Sequence, residues 1–312
     1  MTSATPHPRR AMLDRLASAP ISWGVCEVPG WGLELPVERV LREMREVGMR
    51  ATELGSPGYF PTDSADLRAL LAGAELPLVA GFVGLVLHDR EQRSRMLEEA
   101  REAAELLAGG GADYFVTAAL TDWDWGPRVA LDDGRWALLA ESLELLEGVV
   151  AEYGLEQAVH PHVGTAIETA DDVTEVLART TVGWCFDTGH LLIGGYDPLA
   201  FLNDARDRIR HVHLKDVRMA TAQRVVSGEL TLMQGVQEGM FCPMGRGDVP
   251  IAKIVTELEN SGYDRWYVLE QDAALTEGEP PNGSGPILDV RQSVDHLRSV
   301  ARDLTSTQGG SS

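Results

Sequence analysis

Eight short apolar runs, each followed by a stretch of helical periodicity, constrain this chain more than any other feature of its sequence. The runs are "APISWGV", "ATELG", "LPLVAGFVG", "ADYFVTAA", the start of "LEQAVHPHVG", "VGWCFDTG", "IRHVHLKD" and "RWYVLEQD". Between the first two, Val37, Val40, Leu41, Met44 and Val47 share one helical face and Gly48 supplies a stop. Thr169 suits an N-cap, and Asp197-Pro198 opens a short helix with proline at its first position. Strict β/α alternation implies parallel strands joined by helical crossovers. Eight units in 312 residues fit a single (β/α)8 TIM barrel, an α/β fold. The competitor is a doubly wound open sheet. It would carry a glycine-rich phosphate loop after the first run, and "WGVCEVPGWG" has none of the required spacing. The expected organisation is a flexible leader over 1–17, the barrel over 18–304 and a disordered tail over 305–312.

Three segments break the rhythm, at 121–134, 217–249 and 273–286. All three follow strands, so they fall on the C-terminal rim, where barrels build their sites as long loops. The formal net charge is −21, and no lysine- or arginine-rich run exists. A surface for nucleic acid or an anionic membrane needs such a stripe, so neither is expected as a partner. No apolar run approaches the ~20 residues a bilayer requires, and the first residues lack the apolar stretch of a secretory signal. Three cysteines, none in a CxxC, point to no disulfide framework and to the cytoplasm.

The strand ends carry a ring of ionisable groups: Glu53, then His160 and His162, Asp187 and His190, His211, His213 and Lys215, Glu270 and Asp272. Side chains two apart on a strand share a side, so His213 and Lys215 point together, as do Glu270 and Asp272. A single histidine or glutamate at a strand end is ordinarily structural. Imidazole and carboxylate at the same level of four successive strands are the donor set of one divalent ion with open positions for substrate. Trp23, Trp123 and Trp125 could line a sugar-sized cavity, with core packing an equal reading for Trp23. Cys185 reads as a small buried residue, and "GRGD" as a loop.

Together "APISWGVCEVPGWG", "ATELG", "VHPHVGTAIET", "CFDTGHL", "RHVHLKD", "MGRGDVPIAKIV" and "YVLEQD" resemble the xylose-isomerase-like barrel superfamily, over residues 18–303. "HPHVGTAIET" and "LEQD" are similar to its inosose dehydratase branch. The resemblance implies a metal quartet of Glu, Asp, His and Glu on strands five to eight. Asp187, His213 and Glu270 match the last three. His160 stands where the first glutamate is usual, with His162 two residues on, and the strand-five ligand is open between them. It further implies Mn²⁺ or Co²⁺ ahead of Zn²⁺ or Mg²⁺, and a metal-dependent lyase (hydro-lyase). That lyase would remove an α-proton and eliminate water from a cyclic polyol ketone such as 2-keto-myo-inositol, through a metal-stabilised enediolate. Glu53 and His190 are the expected base and acid, with His162 able to serve if His160 is the ligand, and Lys215 holds an oxyanion or hydroxyl. Trp23, His162, Glu168 and Arg246, which lie in these motifs, are the expected substrate contacts. The alternatives are a sugar isomerase or epimerase, and a catalytically inactive sugar-binding barrel. Copies of the same chain are the expected protein partners.

Overall fold

The computed structural model describes residues 10–26, 28 and 30–309. Ten strands are found among them: β1 (Leu16–Ser18), β2 (Ala51–Leu54), β3 (Leu78–Leu85), β4 (Tyr114–Ala119), β5 (Glu156–Val159), β6 (Trp184–Asp187), β7 (Ile209–Leu214), β8 (Asp216–Val217), β9 (Phe241–Cys242) and β10 (Tyr267–Leu269). Eight of them close a barrel in the order β1-β10-β7-β6-β5-β4-β3-β2, and every neighbouring pair is parallel. The α-helices are α1 (Val37–Val47), α2 (Ser64–Gly73), α3 (Arg93–Gly110), α4 (Asp133–Ala151), α5 (Ala170–Arg179), α6 (Thr188–Ile193), α7 (Pro198–Asp204), α8 (Met219–Val226), α9 (Leu232–Gln237), α10 (Ile251–Asn260) and α11 (Pro286–Gly309). The expected single (β/α)8 barrel is therefore the fold.

Local chemistry accounts for the boundaries. The apolar stripe of α1 buries Val40, Leu41, Met44 and Val47, and Gly48 ends the helix at φ +100°. Thr169 caps α5 through a capping box with Asp172, and Asp197 caps α7 ahead of Pro198. Ala17, Ala51, Ala158, Cys185 and Val268 pack in one small-residue cluster with Val116 and Tyr114. The larger cluster lies between strands and helices and includes Leu16, Phe115, Trp184 and Leu214.

Four features differ from expectation. The first strand is Leu16–Ser18, and "APISWGV" instead holds a 3-10 helix, Pro20–Trp23, because Pro20 fixes a helical φ and cannot donate to a ladder. Residues expected in a leader are thus part of the barrel. Arg15 is fully buried and donates to the Tyr263 and Arg265 carbonyls and to Glu259. At the other end α11 runs through Gly309, past the expected limit at 304, since nothing before the final glycines breaks a helix. The long segment after β7 is also ordered, with α8 and α9 closed by an antiparallel β8-β9 pair. Its return is tied to Asp216, whose buried carboxylate accepts from the amides of Gly245, Arg246, Gly247 and Val249 at 2.8–3.2 Å. No helix among the described residues is long and apolar enough to cross a membrane.

Candidate active site

The barrel register brings four strand ends to one level. His160 follows β5 and anchors its backbone on the Thr117 carbonyl at 2.8 Å. Asp187 ends β6 and also caps α6. Its Oδ1 accepts from the amides of Gly189 and His190, both at 2.8 Å, which leaves Oδ2 for the barrel mouth. His213 lies opposite Asp187 on one side and Val268 on the other. Glu270 follows β10 and donates its amide to the Leu214 carbonyl at 3.1 Å.

The four side chains converge. His160 Nε2 stands 3.3 Å from Asp187 Oδ2 and 3.2 Å from His213 Nδ1. His213 Nδ1 stands 3.7 Å from Asp187 Oδ2 and 3.2 Å from Glu270 Oε2. Donor atoms about 2.1 Å from a shared ion are roughly 3.0–3.4 Å apart; three of these four spacings fall in that range and the fourth, 3.7 Å, lies just above it, which leaves room for one divalent cation. Two imidazoles and two carboxylates suit Mn²⁺, Co²⁺ or Zn²⁺ better than a purely oxygen-seeking ion. Of the two histidines on strand five, His160 is the one in the quartet.

Electrostatics point the same way. Burial opposes charge on every member, yet Lys215 with hydrogen bonds from His160 and His213 holds Asp187 well below the usual carboxylate range. His213 and Lys215 do the same for Glu270. Against the same burial, the Glu270 and Glu53 carboxylates keep His213 protonated well above its ordinary range. The cluster therefore demands positive charge. Cys185, fully buried beside it, is pushed up to about 12 by burial and stays a neutral thiol.

Lys215 stands at the edge of the quartet. Its Nζ lies 3.0 Å from Glu270 Oε2, 2.7 Å from Asp272 Oδ1 and 3.8 Å from Asp187 Oδ2. Burial alone would neutralise it, but Asp272, Glu270 and Asp187 raise its pKa further, so it is a fixed cation. Burial raises Asp272 in turn, against the pull of Lys215.

The other expected residues divide. His162 and His190 pack with their rings tilted by 38° and their centroids 4.0 Å apart, and sit beside the quartet. His162 Nδ1 bonds the Val163 carbonyl at 2.8 Å, which makes Nδ1 the proton-bearing nitrogen and leaves Nε2 as an acceptor. Burial, His160 and Lys215 lower His162 to about 3, and burial with His162 and Lys215 lowers His190 well below its usual range. A neutral His190 does not suit the expected role of resident acid. Glu53 is buried, and its Oε1 takes His211 Nε2 at 2.5 Å and His213 Nε2 at 2.9 Å.

Trp23, an expected substrate contact, is turned into the core by the 3-10 helix. It is fully buried, and its indole N–H donates to Glu43. Arg246 is solvent-exposed and uses its backbone to hold Asp216. Glu168 pins the Gly164 amide at 2.8 Å and faces Arg128. Trp125, by contrast, stands at the mouth: its ring is 5.9 Å from His162 and 6.1 Å from Phe82. It is held at φ +56°, an uncommon conformation for a bulky residue, in a turn where Asp122 accepts from the Asp124 and Gly126 amides. Phe82 escapes sequence reading because one more apolar residue in an apolar strand carries no signal.

The neutral imidazoles set an acid limit. His160, His162, His190 and His211 all have folded pKa values below the ordinary 6.5, so the unfolded chain binds protons first as pH falls. Their stabilising effect is complete above 6.5 and is lost below it, by up to about 1.4 kcal/mol per pH unit for each ring, while His213, raised above 6.5, contributes its full stabilisation throughout that window. Thermal melts of metal-free protein are expected to drop steeply between pH 6.5 and 4, and a flat profile there would refute this.

Residues 41–300 match the family described as the xylose isomerase-like TIM barrel. The chain is 34% identical to the inosose dehydratase of Geobacillus kaustophilus (strain HTA426) over 84% of its own length and 89% of that protein. It is 32% identical to the rhizopine catabolism protein MocC of Rhizobium meliloti, over 95% and 91% of the two chains. The solved structure of an L-ribulose 3-epimerase superposes with a TM-score of 0.69 at 16% identity, over 96% and 98%.

Proposed function

The chain belongs to the xylose isomerase-like TIM barrel family, and on that premise we propose that it is a metal-dependent dehydratase of a cyclic polyol ketone of the 2-keto-myo-inositol type. The observation that carries this reading is the buried His160/Asp187/His213/Glu270 quartet with a cation, Lys215, at its edge. Relatives named inosose dehydratase support the substrate class. Mn²⁺ and Co²⁺ are the ions proposed for the quartet.

When bound, such an ion supplies Lewis acidity at the substrate carbonyl. The chain's own groups do the rest. Lys215 Nζ, fixed by Asp272, presents positive charge where negative charge builds on oxygen as the α-proton leaves. His162 Nε2 receives that proton, since its lone pair is free and its ring half-buried beside the quartet. The imidazolium so formed is a strong acid in this setting, and it returns the proton to the departing β-hydroxyl as water. Trp125 and Phe82 form an apolar wall that shields these transfers from solvent.

Mass spectrometry of products from 2-keto-myo-inositol, with Mn²⁺ supplied, tests the reading. Loss of one water is expected. A product of unchanged mass would replace it with the isomerase or epimerase reading. His162→Gln is expected to lower kcat by about 10²–10³ with Mn²⁺ affinity unchanged. An equal loss of both would remove His162 from proton transfer.

A further inference from the structure

Glu53 offers the residue type of a general base, but its surroundings assign it another task. It sits on β2, and the histidines it meets sit on β7. In the barrel those strands are separated by β1 and β10, so the contact spans the interior. One oxygen, Oε1, meets both His211 Nε2 at 2.5 Å and His213 Nε2 at 2.9 Å. An ionised carboxylate only accepts hydrogen bonds, so both Nε2 atoms carry their protons. The opposite edge of the His213 ring then presents Nδ1 to Glu270 at 3.2 Å and to His160 at 3.2 Å.

Two other roles are open to this trio. Glu53, His211 and His213 could form a second cation site, since their donor atoms also cluster. Separations of 2.5 and 2.9 Å are hydrogen-bond lengths and fall short of the roughly 3.0–3.4 Å between ligands of one ion. Glu53 could instead be the base. But the His213 ring stands between its Oε1 and the quartet, and Glu53 is 1% exposed.

We propose that Glu53 is a positioning residue: it braces His213 from across the barrel, fixing which nitrogen faces the quartet, and His211 holds the brace in place. The proposal rests on the reading of the quartet as a cation site. A carboxylate behind a ligating imidazole fixes its orientation and tautomer and strengthens it as a donor, an effect worth about 10–100-fold in metal affinity.

The test is calorimetric titration of Mn²⁺ into the wild-type protein and into Glu53→Gln, with kcat measured at saturating Mn²⁺. The brace predicts a Kd weakened about 10–100-fold and a kcat within about tenfold of wild type once the ion is saturating. A base predicts the reverse, an unchanged Kd and a kcat lower by about 10²–10⁴, and that result overturns the proposal. Wild-type protein that binds no Mn²⁺ overturns the cation reading and the brace with it. Equal affinity in both proteins overturns the brace alone. Should Glu53→Gln fail to fold, ¹⁵N NMR of the histidines in Zn²⁺-loaded wild-type protein decides. The brace predicts a proton on His213 Nε2 with Nδ1 metal-shifted, and the opposite assignment refutes it.

Discussion

Asp187→Asn is expected to lower turnover by at least ~10³-fold and, in the metal-free protein, to melt below the wild type but above Asp187→Ala. The two oxygens of Asp187 do different work. Oδ1 caps α6 by accepting the Gly189 and His190 amides, and an asparagine oxygen can do the same. Oδ2 faces His160 and His213 in the quartet, and there asparagine puts a neutral amide where an anionic donor stood. Asp187→Ala should lose turnover equally and also lose about 1 kcal/mol of stability with the cap. Steady-state kinetics beside thermal melts of both variants separate the two tasks. Near-wild-type turnover by Asp187→Asn would show that the charge is not needed.

Lys215→Met is expected to be the most destabilising single change in the site. It leaves Glu270 and Asp272, at 3.0 and 2.7 Å from the lost ammonium, facing Asp187 without their shared counter-charge. Removing one partner of a buried ionic group costs roughly 3–5 kcal/mol, which corresponds to a melting temperature lower by about 10 °C in a domain of this size. Adding Asp272→Asn removes one of the stranded carboxylates, so the double variant should recover a substantial part of the loss. Chemical denaturation of the wild type, both single variants and the double variant gives the coupling. Independent, additive effects would show that Lys215 and Asp272 do not act as a pair. The sign with pH follows from the raised pKa: Lys215 stabilises fully below 10.5 and loses that effect only in strong alkali.

Much of the fold was legible because the alternation of periods fixes it. Apolar runs at period two and helical stripes at period 3.6 admit few architectures when they alternate eight times. The strand-end residues were legible for a related reason. His160, Asp187, His213 and Glu270 break apolar runs at the same place in four units, and the register brings them together. What could not be read was orientation. Trp23 and Trp125 are the same residue type in similar glycine-rich contexts, yet a 3-10 turn sends one to Glu43 in the core and a left-handed φ brings the other to the mouth. Glu53 looks like a base until the barrel closes and puts two imidazoles on one of its oxygens, a contact between residues 158 and 160 positions apart. The ordering of 217–249 was hidden because its anchor, Asp216, works on backbone amides that leave no mark in side-chain composition.

The central claim is that one divalent ion sits among four named donor atoms. Anomalous diffraction from a crystal soaked in Mn²⁺ tests it most directly. The account predicts one strong peak bounded by His160 Nε2, Asp187 Oδ2, His213 Nδ1 and Glu270 Oε2. A peak among Glu53, His211 and His213, or none at saturating Mn²⁺, would contradict it.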